Sequence, residues 1–407
     1  MSSHQCDIAI VGAGAAGIAV AASLKKRQAQ LSITLIDPAE KHYYQPGWTM
    51  VGRGVFTPQS TERDTASLIP KGVKWLTQAV ASFDPMSSNT LTLDNDESVQ
   101  YEQLVVAAGL SLNWTAVEGL AENLGKNGVT SNYTYTTAPY TWELVKNLKG
   151  GRAVFTQPPM PIKCAGAPQK AMYLSADHWR KQGRIGSIQI DFCTATPGLF
   201  GVADYVPALM EYVDRYGAQL NFQTNLTKVD GERKIAVFST PEGEVEKPFD
   251  LLHVCPPQCA PSFVSESALA DESGWVDVDQ ATLQHKRFDN IWSCGDVMNA
   301  PNAKTAAAAR AQAPVVAENL LAHRSAQPAA LLYNGYGSCP LTVERGKIVL
   351  AEFGYGGKLL PSFPRAVLNG QKATRLAWHL KADALPWIYW NAMLKGREWM
   401  LKNEVAR

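Results

Sequence analysis

Residues 12–17 read Gly12-Ala13-Gly14-Ala15-Ala16-Gly17, directly after the apolar run 7–11 (DIAIV) and at the mouth of the helix-forming stretch 15–27 (AAGIAVAASLKKR). No other feature restricts the fold as much. The run 7–11 suits a strand buried on both faces, and the stretch 15–27 ends in cations, as a helix C-terminus prefers. A second run, 32–36 (SITLI), ends in Asp37, 20 residues beyond Gly17, and completes a strand–helix–strand unit. Each glycine answers a separate demand. Gly12 permits the tight turn, Gly14 lets backbone approach a pyrophosphate, and Gly17 lets helix and strand pack closely. The helix N-terminus adds partial positive charge, and Asp37 is placed to accept hydrogen bonds from a ribose hydroxyl. These residues point to an adenine dinucleotide without separating NAD from FAD.

Length and charge narrow the class. With 407 residues, 46% of them hydrophobic, the chain can bury ordinary cores in two or more domains. Its 38 Lys and Arg against 37 Asp and Glu leave a net charge of +1, which argues against nucleic acid as a partner. Seven cysteines, an odd number, do not make a secreted disulfide framework. No run of apolar residues is long enough to span a bilayer, and 384–394 (ALPWIYWNAML) is too short. The strand pattern begins within six residues of Met1, leaving no room for a signal or transit peptide, so a cytoplasmic location is expected.

Two later segments, 101–109 (YEQLVVAAG, ending at Gly109) and 290–296 (NIWSCGD), the latter ahead of an Ala-rich helix over about 305–322, join the first motif in a set that resembles the fingerprints of two-dinucleotide-fold flavoproteins. That resemblance implies bound FAD, with Asp296 hydrogen-bonding the ribityl chain. The expected fold is α/β, with two Rossmann-like domains of the FAD/NAD(P)-binding type and a C-terminal membrane-associating helical segment. The expected FAD domain is discontinuous, residues 1–113 and 273–330, with a second Rossmann-like domain at 114–272 and a redox-loop and quinone segment at 331–407. In the second domain the strand 151–156 (GRAVFT) runs into QPPMPIKCAGAPQK, whose prolines forbid the tight turn that a pyrophosphate needs. The strand 187–192 leads to CTATPGLFG, also without the glycine pattern. An NADH site is therefore not expected, and the replacement loop carries a cysteine.

That cysteine, Cys164, precedes a helix expected over 168–180, with Lys163 and Lys170 nearby, a setting that lowers a thiol pKa. Cys339 lies in YGSCPLT, read as a Gly/Ser/Pro-punctuated loop. From the residues alone, a structural role remains open for both. The segments HYYQPGWTMVGRG (42–54), PIKCAGAPQKAMYLS (161–175), YNGYGSCPLTVERGKIVLAEF (333–353) and LKADALPWIYWNAMLKG (380–396) resemble sulfide:quinone oxidoreductases, nearest the type II branch that includes the mitochondrial enzyme.

The resemblance implies that Cys164 and Cys339 form a redox pair beside the flavin. Sulfide would open a disulfide or sulfur-bridged state of the pair, and Cys339 would carry the persulfide. Cys164 would reduce FAD, and a ubiquinone-type quinone would take the electrons. A small thiol, sulfite or further sulfide would accept the sulfur. It further implies FAD contacts at Gln45, at the main chain of Ala16 and Val80, and at Lys304 and Thr305. Cys6, Cys193, Cys255, Cys259 and Cys294 are read as structural; Cys255 and Cys259 make a lone CxxxC, which is not a zinc site, and no metal is expected. Rival readings are a flavocytochrome-c-type sulfide dehydrogenase and a flavin-bound thiol sensor without turnover. Type II NADH:quinone oxidoreductase is disfavoured by the missing second glycine motif. The oligomeric state stays open.

A quinone is a membrane solute, so a bilayer contact is expected. From Lys372 onward seven Lys or Arg (372, 375, 381, 395, 397, 402, 407) face three acids, with Trp378, Trp387, Tyr389, Trp390 and Trp399 interspersed. Tryptophan among cations suits the headgroup boundary. Pro386 is expected to divide the stretch into two helices. The protein is thus expected as a peripheral one on the cytoplasmic side of a membrane.

Overall fold

The strand Ser3–Val11 stands in the middle of a parallel sheet, with Ile33–Ile36 on one side and Ser98–Val106 on the other. These relations come from a computed structural model that describes residues 3–401 and 403–406. Val73–Leu76 extends the sheet beyond Ile33–Ile36, and Ile291–Ser293 returns from far along the chain to pair with the end of Ser98–Val106. Ser98–Val106 shows how local sequence follows environment. Its first half alternates buried and exposed residues where it also meets the antiparallel strand Thr90–Leu93, whereas 103–106 (QLVV) is buried throughout between parallel neighbours. Helices Ala15–Arg27 and Ala306–Arg324 pack on this sheet and on each other.

A second parallel sheet has five strands, in the order Gln219–Asn221, Ile188–Thr194, Gly151–Gln157, Leu251–Val254, Val129–Thr130. In both sheets the first long strand is central, its second and third strands lie to one side and its fourth to the other. Helix Ala167–Lys181 buries Met172, Tyr173, Ala176 and Trp179 against Phe155 and Phe192 of this sheet.

The C-terminal part begins with the hairpin Gly337–Glu344 and Lys347–Phe353, extended by Ala373–Thr374. Cys339 therefore sits in a strand, paired with Ala351, and not in the expected loop. Gly337–Glu344 is an edge strand, which tolerates the missing donor of Pro340. Pro386 does not divide the tail into two helices either. Helical backbone runs from Arg375–His379 through a π turn, Leu380–Ala384, into Leu385–Asn391, with Pro386 in the first turn after the bulge. A π bulge absorbs the hydrogen bond that a proline cannot make.

The tail is pinned to the first unit. Arg27 Nη2 lies 2.9 Å from Glu398 Oε2 and its Nε 2.7 Å from Glu318 Oε1. Lys26 Nζ donates to Gly396 O at 3.2 Å. Among the described residues no helix is long and apolar enough to cross a membrane.

Candidate functional site

A cavity of about 650 Å³ opens where the two sheets and the hairpin meet. Gly12, Gly14, Ala16, Asp37, Gln45, Gly109, Cys164, Asp296, Lys304 and Thr305 all line it. Three residues singled out by sequence do not. Gly17 lies beneath the glycine loop, Cys339 lies behind Cys164, and Val80 is buried in the strand Val80–Asp84, paired with Leu93.

The glycine loop has the form of a dinucleotide cradle. Gly12 takes φ +105°, and a Cβ there would strike the carbonyl oxygen of Ala107. A Cβ on Gly17 would strike the carbonyl oxygen of Gly12, so helix and loop can approach only through glycine. Around Gly14 nothing stands within 4 Å of a Cβ position, which leaves room for a phosphate on backbone N–H groups at the helix start. Asp37 is oriented by main chain: Oδ2 accepts from Ala13 N at 2.6 Å and Oδ1 from Ala39 N at 2.8 Å.

On the return segment Thr305 caps helix Ala306–Arg324, its Oγ1 accepting from Ala308 N at 3.2 Å. Lys304 Nζ donates to Asp296 O at 2.6 Å and Met298 O at 2.8 Å, bracing the Gly295-Asp296 turn. Burial lowers this lysine to about 8 and raises Asp296. The open loop, the helix N-terminus and the braced acidic turn fit an FAD dinucleotide and ribityl chain.

The thiol pair joins that cradle through backbone. Cys164 takes φ +51°, its N–H donates to Lys304 O at 2.8 Å, and its carbonyl accepts from Ala167 N at 2.7 Å. Lys170, one turn into helix Ala167–Lys181, donates from Nζ to Cys164 Sγ at 3.1 Å. Strand alternation turns Ser338 and Pro340 to the cavity and Cys339 to this helix, where its thiol hydrogen-bonds Cys164. The Cys339 hydrogen bond, then the Lys170 and Lys381 cations, hold Cys164 well below the ordinary thiol range in spite of burial. The same hydrogen bond, with burial, holds Cys339 well above it. The pair is thus a thiolate facing the cavity and a thiol behind it.

Two cations meet this thiolate, and sequence reading anticipated one of them. Lys381 had been counted among the surface cations of the tail, but it is 2% exposed, lines the cavity and donates from Nζ to Pro46 O at 2.8 Å. Burial, then repulsion from Lys170, brings it down to about 7. A signal was present, since Lys381 shares a helical face with Leu385 and Ile388, which also line the cavity. Tyr389 likewise turns inward, donating its hydroxyl to His42 Nε2 at 2.6 Å while His42 Nδ1 donates to Ala13 O at 3.0 Å.

On the Cys164 side of the wall, Lys163 Nζ donates to Gln45 Oε1 at 2.8 Å. Where the hairpin and the C-terminal helix form the wall it is mostly apolar, with Pro340, Leu350, Phe363, Leu380, Leu385 and Ile388. Of the other cysteines, Cys193, Cys255 and Cys294 are pushed by burial up to about 12, Cys6 is buried and Cys259 is exposed.

Comparison with known proteins adds a second line. Residues 6–139 match the family described as pyridine nucleotide-disulphide oxidoreductase. The mitochondrial sulfide:quinone oxidoreductase of Dictyostelium discoideum is 44% identical over 399 residues, covering 97% of this chain and 87% of that protein. That of Mus musculus is 38% identical over 397 residues, with the same coverage of 97% and 87%. The crystal structure of sulfide:quinone oxidoreductase from Aquifex aeolicus superposes with a TM-score of 0.80 at 18% identity, covering 99% of this chain and 97% of that one, and shows the shared fold.

Proposed function

Because the chain belongs to the sulfide:quinone oxidoreductase family, we propose that it oxidises sulfide at Cys164 and Cys339 and passes the electron pair through FAD to a membrane quinone. The observation that carries this reading is the thiolate of Cys164, held by Lys170 at 3.1 Å on the wall of a cavity that also contains the dinucleotide cradle.

The unequal thiols give the chemistry a direction. In the oxidised state the two sulfurs are bridged, and hydrosulfide attacks the one whose partner leaves more easily. The lower-pKa thiol is the better leaving group, so Cys164 departs as thiolate and Cys339 keeps the persulfide. A small nucleophile, either a thiol, sulfite or a second sulfide, then takes the outer sulfur, and Cys339 becomes a thiol. Re-forming the Cys164–Cys339 bridge releases two electrons, while the Cys339 proton leaves toward solvent. FAD, when bound in the cradle, supplies the two-electron acceptor that connects this step to the quinone. Lys170 and Lys381 hold the negative charge at Cys164 until the electrons depart.

The apolar wall formed by Leu350, Phe363, Leu380, Leu385 and Ile388 suits a quinone ring. Beside it lie exposed apolar side chains of the tail, Leu376, Trp387, Trp399 and Met400, with Trp387 and Trp399 rings 6.2 Å apart. With Lys395 and Arg397 in the same segment, this surface suits peripheral contact with a bilayer. Trp387→Ala is expected to weaken sedimentation with anionic vesicles; unchanged sedimentation would remove this contact.

Anaerobic mixing tests the whole reading. Sulfide is expected to bleach the flavin absorbance and a soluble quinone to restore it. Flavin that stays oxidised in sulfide, or reduced flavin that ignores quinone, would refute the proposal.

A further inference from the structure

The hairpin that carries Cys339 presents different chemistry on its two faces. Pairing sets Cys339 opposite Ala351 and Ser338 opposite Glu352. The first pair packs toward helix Ala167–Lys181, while Ser338, Pro340, Leu350 and Glu352 line the cavity. Glu352 is thus an acid on an otherwise apolar wall, 4% exposed, and an acid there needs partners. It has three donors: Tyr336 Oη at 2.7 Å, Ser362 N at 3.1 Å, and the Ser362 hydroxyl. Its own main chain is fixed by Tyr205, whose hydroxyl accepts from Glu352 N and donates to Glu352 O, each at 3.0 Å. Ser362 is half-buried and follows the exposed Pro361, which places this end of the network next to the surface.

We infer that Glu352 delivers a proton to the quinone bound against this wall, and that Ser362 returns one to it from solvent. The inference rests on the quinone reading above. Reduction of a quinone to its quinol consumes two electrons and two protons. The electrons and one proton come from the reduced cofactor that sulfide oxidation supplies. The second proton enters from solvent: the Ser362 hydroxyl passes its proton to the Glu352 carboxylate that it hydrogen-bonds and regains one from solvent, and the Glu352 O–H bond so formed breaks as the quinol O–H forms. An apolar pocket admits little water, so this step needs a side chain.

Other charged or titratable groups face the same space. Tyr336 is held above the ordinary phenol range by burial and by Glu352 itself. Tyr205 is engaged with Glu352 main chain, and Arg310 of helix Ala306–Arg324 donates from Nη2 to Trp399 O at 2.6 Å. Lys381 donates to Pro46 O and interacts with the thiols through its charge. Glu352 is the acid of this group with a hydroxyl path outward.

Stopped-flow kinetics on the FAD-loaded protein separate the two half-reactions. Glu352→Gln is expected to bind FAD and to be reduced by sulfide at the wild-type rate. Its re-oxidation by quinone should slow about 100-fold, with loss of the solvent deuterium isotope effect of that half-reaction. Re-oxidation within twofold of wild type, with an unchanged solvent isotope effect, would overturn the inference. If Glu352→Gln does not retain FAD, Ser362→Ala carries the test. It should slow re-oxidation alone, by about tenfold, and an unaffected rate would likewise overturn the inference. Wild-type flavin that sulfide does not bleach would refute the sulfide reading and not this one.

Discussion

Two strand–loop–helix crossings stand at the same place in two sheets of the same strand order, and they hold different anions. In the first, Ser3–Val11 passes through the glycine loop into Ala15–Arg27; in the second, Gly151–Gln157 passes through residues 158–166 into Ala167–Lys181. The short loop leaves backbone N–H groups open to a phosphate, a close approach of loop and helix that only glycine permits at Gly12 and Gly17. The long loop, with Pro158, Pro159 and Pro161, takes up the first helix N–H with its own Cys164 carbonyl, Ala167 N to Cys164 O at 2.7 Å, and leaves it unavailable to a ligand. A lysine side chain one turn into the helix takes its place, at 3.1 Å from the sulfur. The carboxyl end of a central strand is thus an anion site in both units, built from backbone in one and from Lys170 in the other.

The sharpest way to break this comparison is Cys164→Ser. Serine keeps the main-chain bond from residue 164 to Lys304 O, so FAD should stay bound while sulfide-driven flavin reduction falls more than about 1,000-fold, the scale of removing a reacting group. Retained reduction would remove Cys164 from the chemistry; lost FAD would show that the thiol itself supports the cradle. Next in size is Gly17→Ala. Its Cβ would meet backbone that cannot swing aside, at a cost of about 1–3 kcal/mol, so weaker FAD retention and a lower Tm are expected. A fully flavinated protein of unchanged Tm would show that the loop does not need glycine there.

Lys170→Met addresses the other half of the contrast. The Cys164 thiolate is present above its depressed pKa and is lost as pH falls through it. Without the Lys170 cation that loss moves to higher pH, so alkylation of Cys164 in the reduced protein should become pH-dependent near neutrality, where the wild-type rate is flat. A profile like the wild type's would assign the thiolate to the Cys339 hydrogen bond and Lys381.

The first crossing was legible because its demands are local: three glycines and Asp37 act within one strand–helix–strand unit, and their spacing is the signal. The second was not. Cys164 and Cys339 lie far apart in the chain, and only the resemblance of KCAGAPQK and SCPL to a known family joined them. Composition misled where orientation mattered. Lys381 and Tyr389 look like parts of a basic, aromatic interfacial helix, yet both turn inward, because a count of residues does not say which face they occupy. Gly-Ser-Cys-Pro looks like a loop, yet pairing with Lys347–Phe353 makes it a strand. Glu352 lies in the segment 333–353 that carries the resemblance, but nothing local marks it out; its partners Tyr336 and Ser362 become neighbours only when the hairpin closes.

The smallest expected effect comes from Gly166→Ala, the last loop residue before helix Ala167–Lys181 and a counterpart in place to the glycines of the first crossing. Gly166 has an ordinary negative φ, and its added Cβ would meet the Cδ2 tip of Leu341. A side-chain tip can rotate away where a carbonyl cannot. The expected loss is therefore under about 1.5 kcal/mol, with FAD content and the sulfide half-reaction within a few fold of wild type. Leu341 lies two residues from Cys339 on the same strand face, so what shift there is should fall on the thiol pair and spare the cradle. Loss of FAD in Gly166→Ala as large as in Gly17→Ala would mean that the second crossing holds its anion through close backbone packing after all, and the contrast between backbone and lysine would fail.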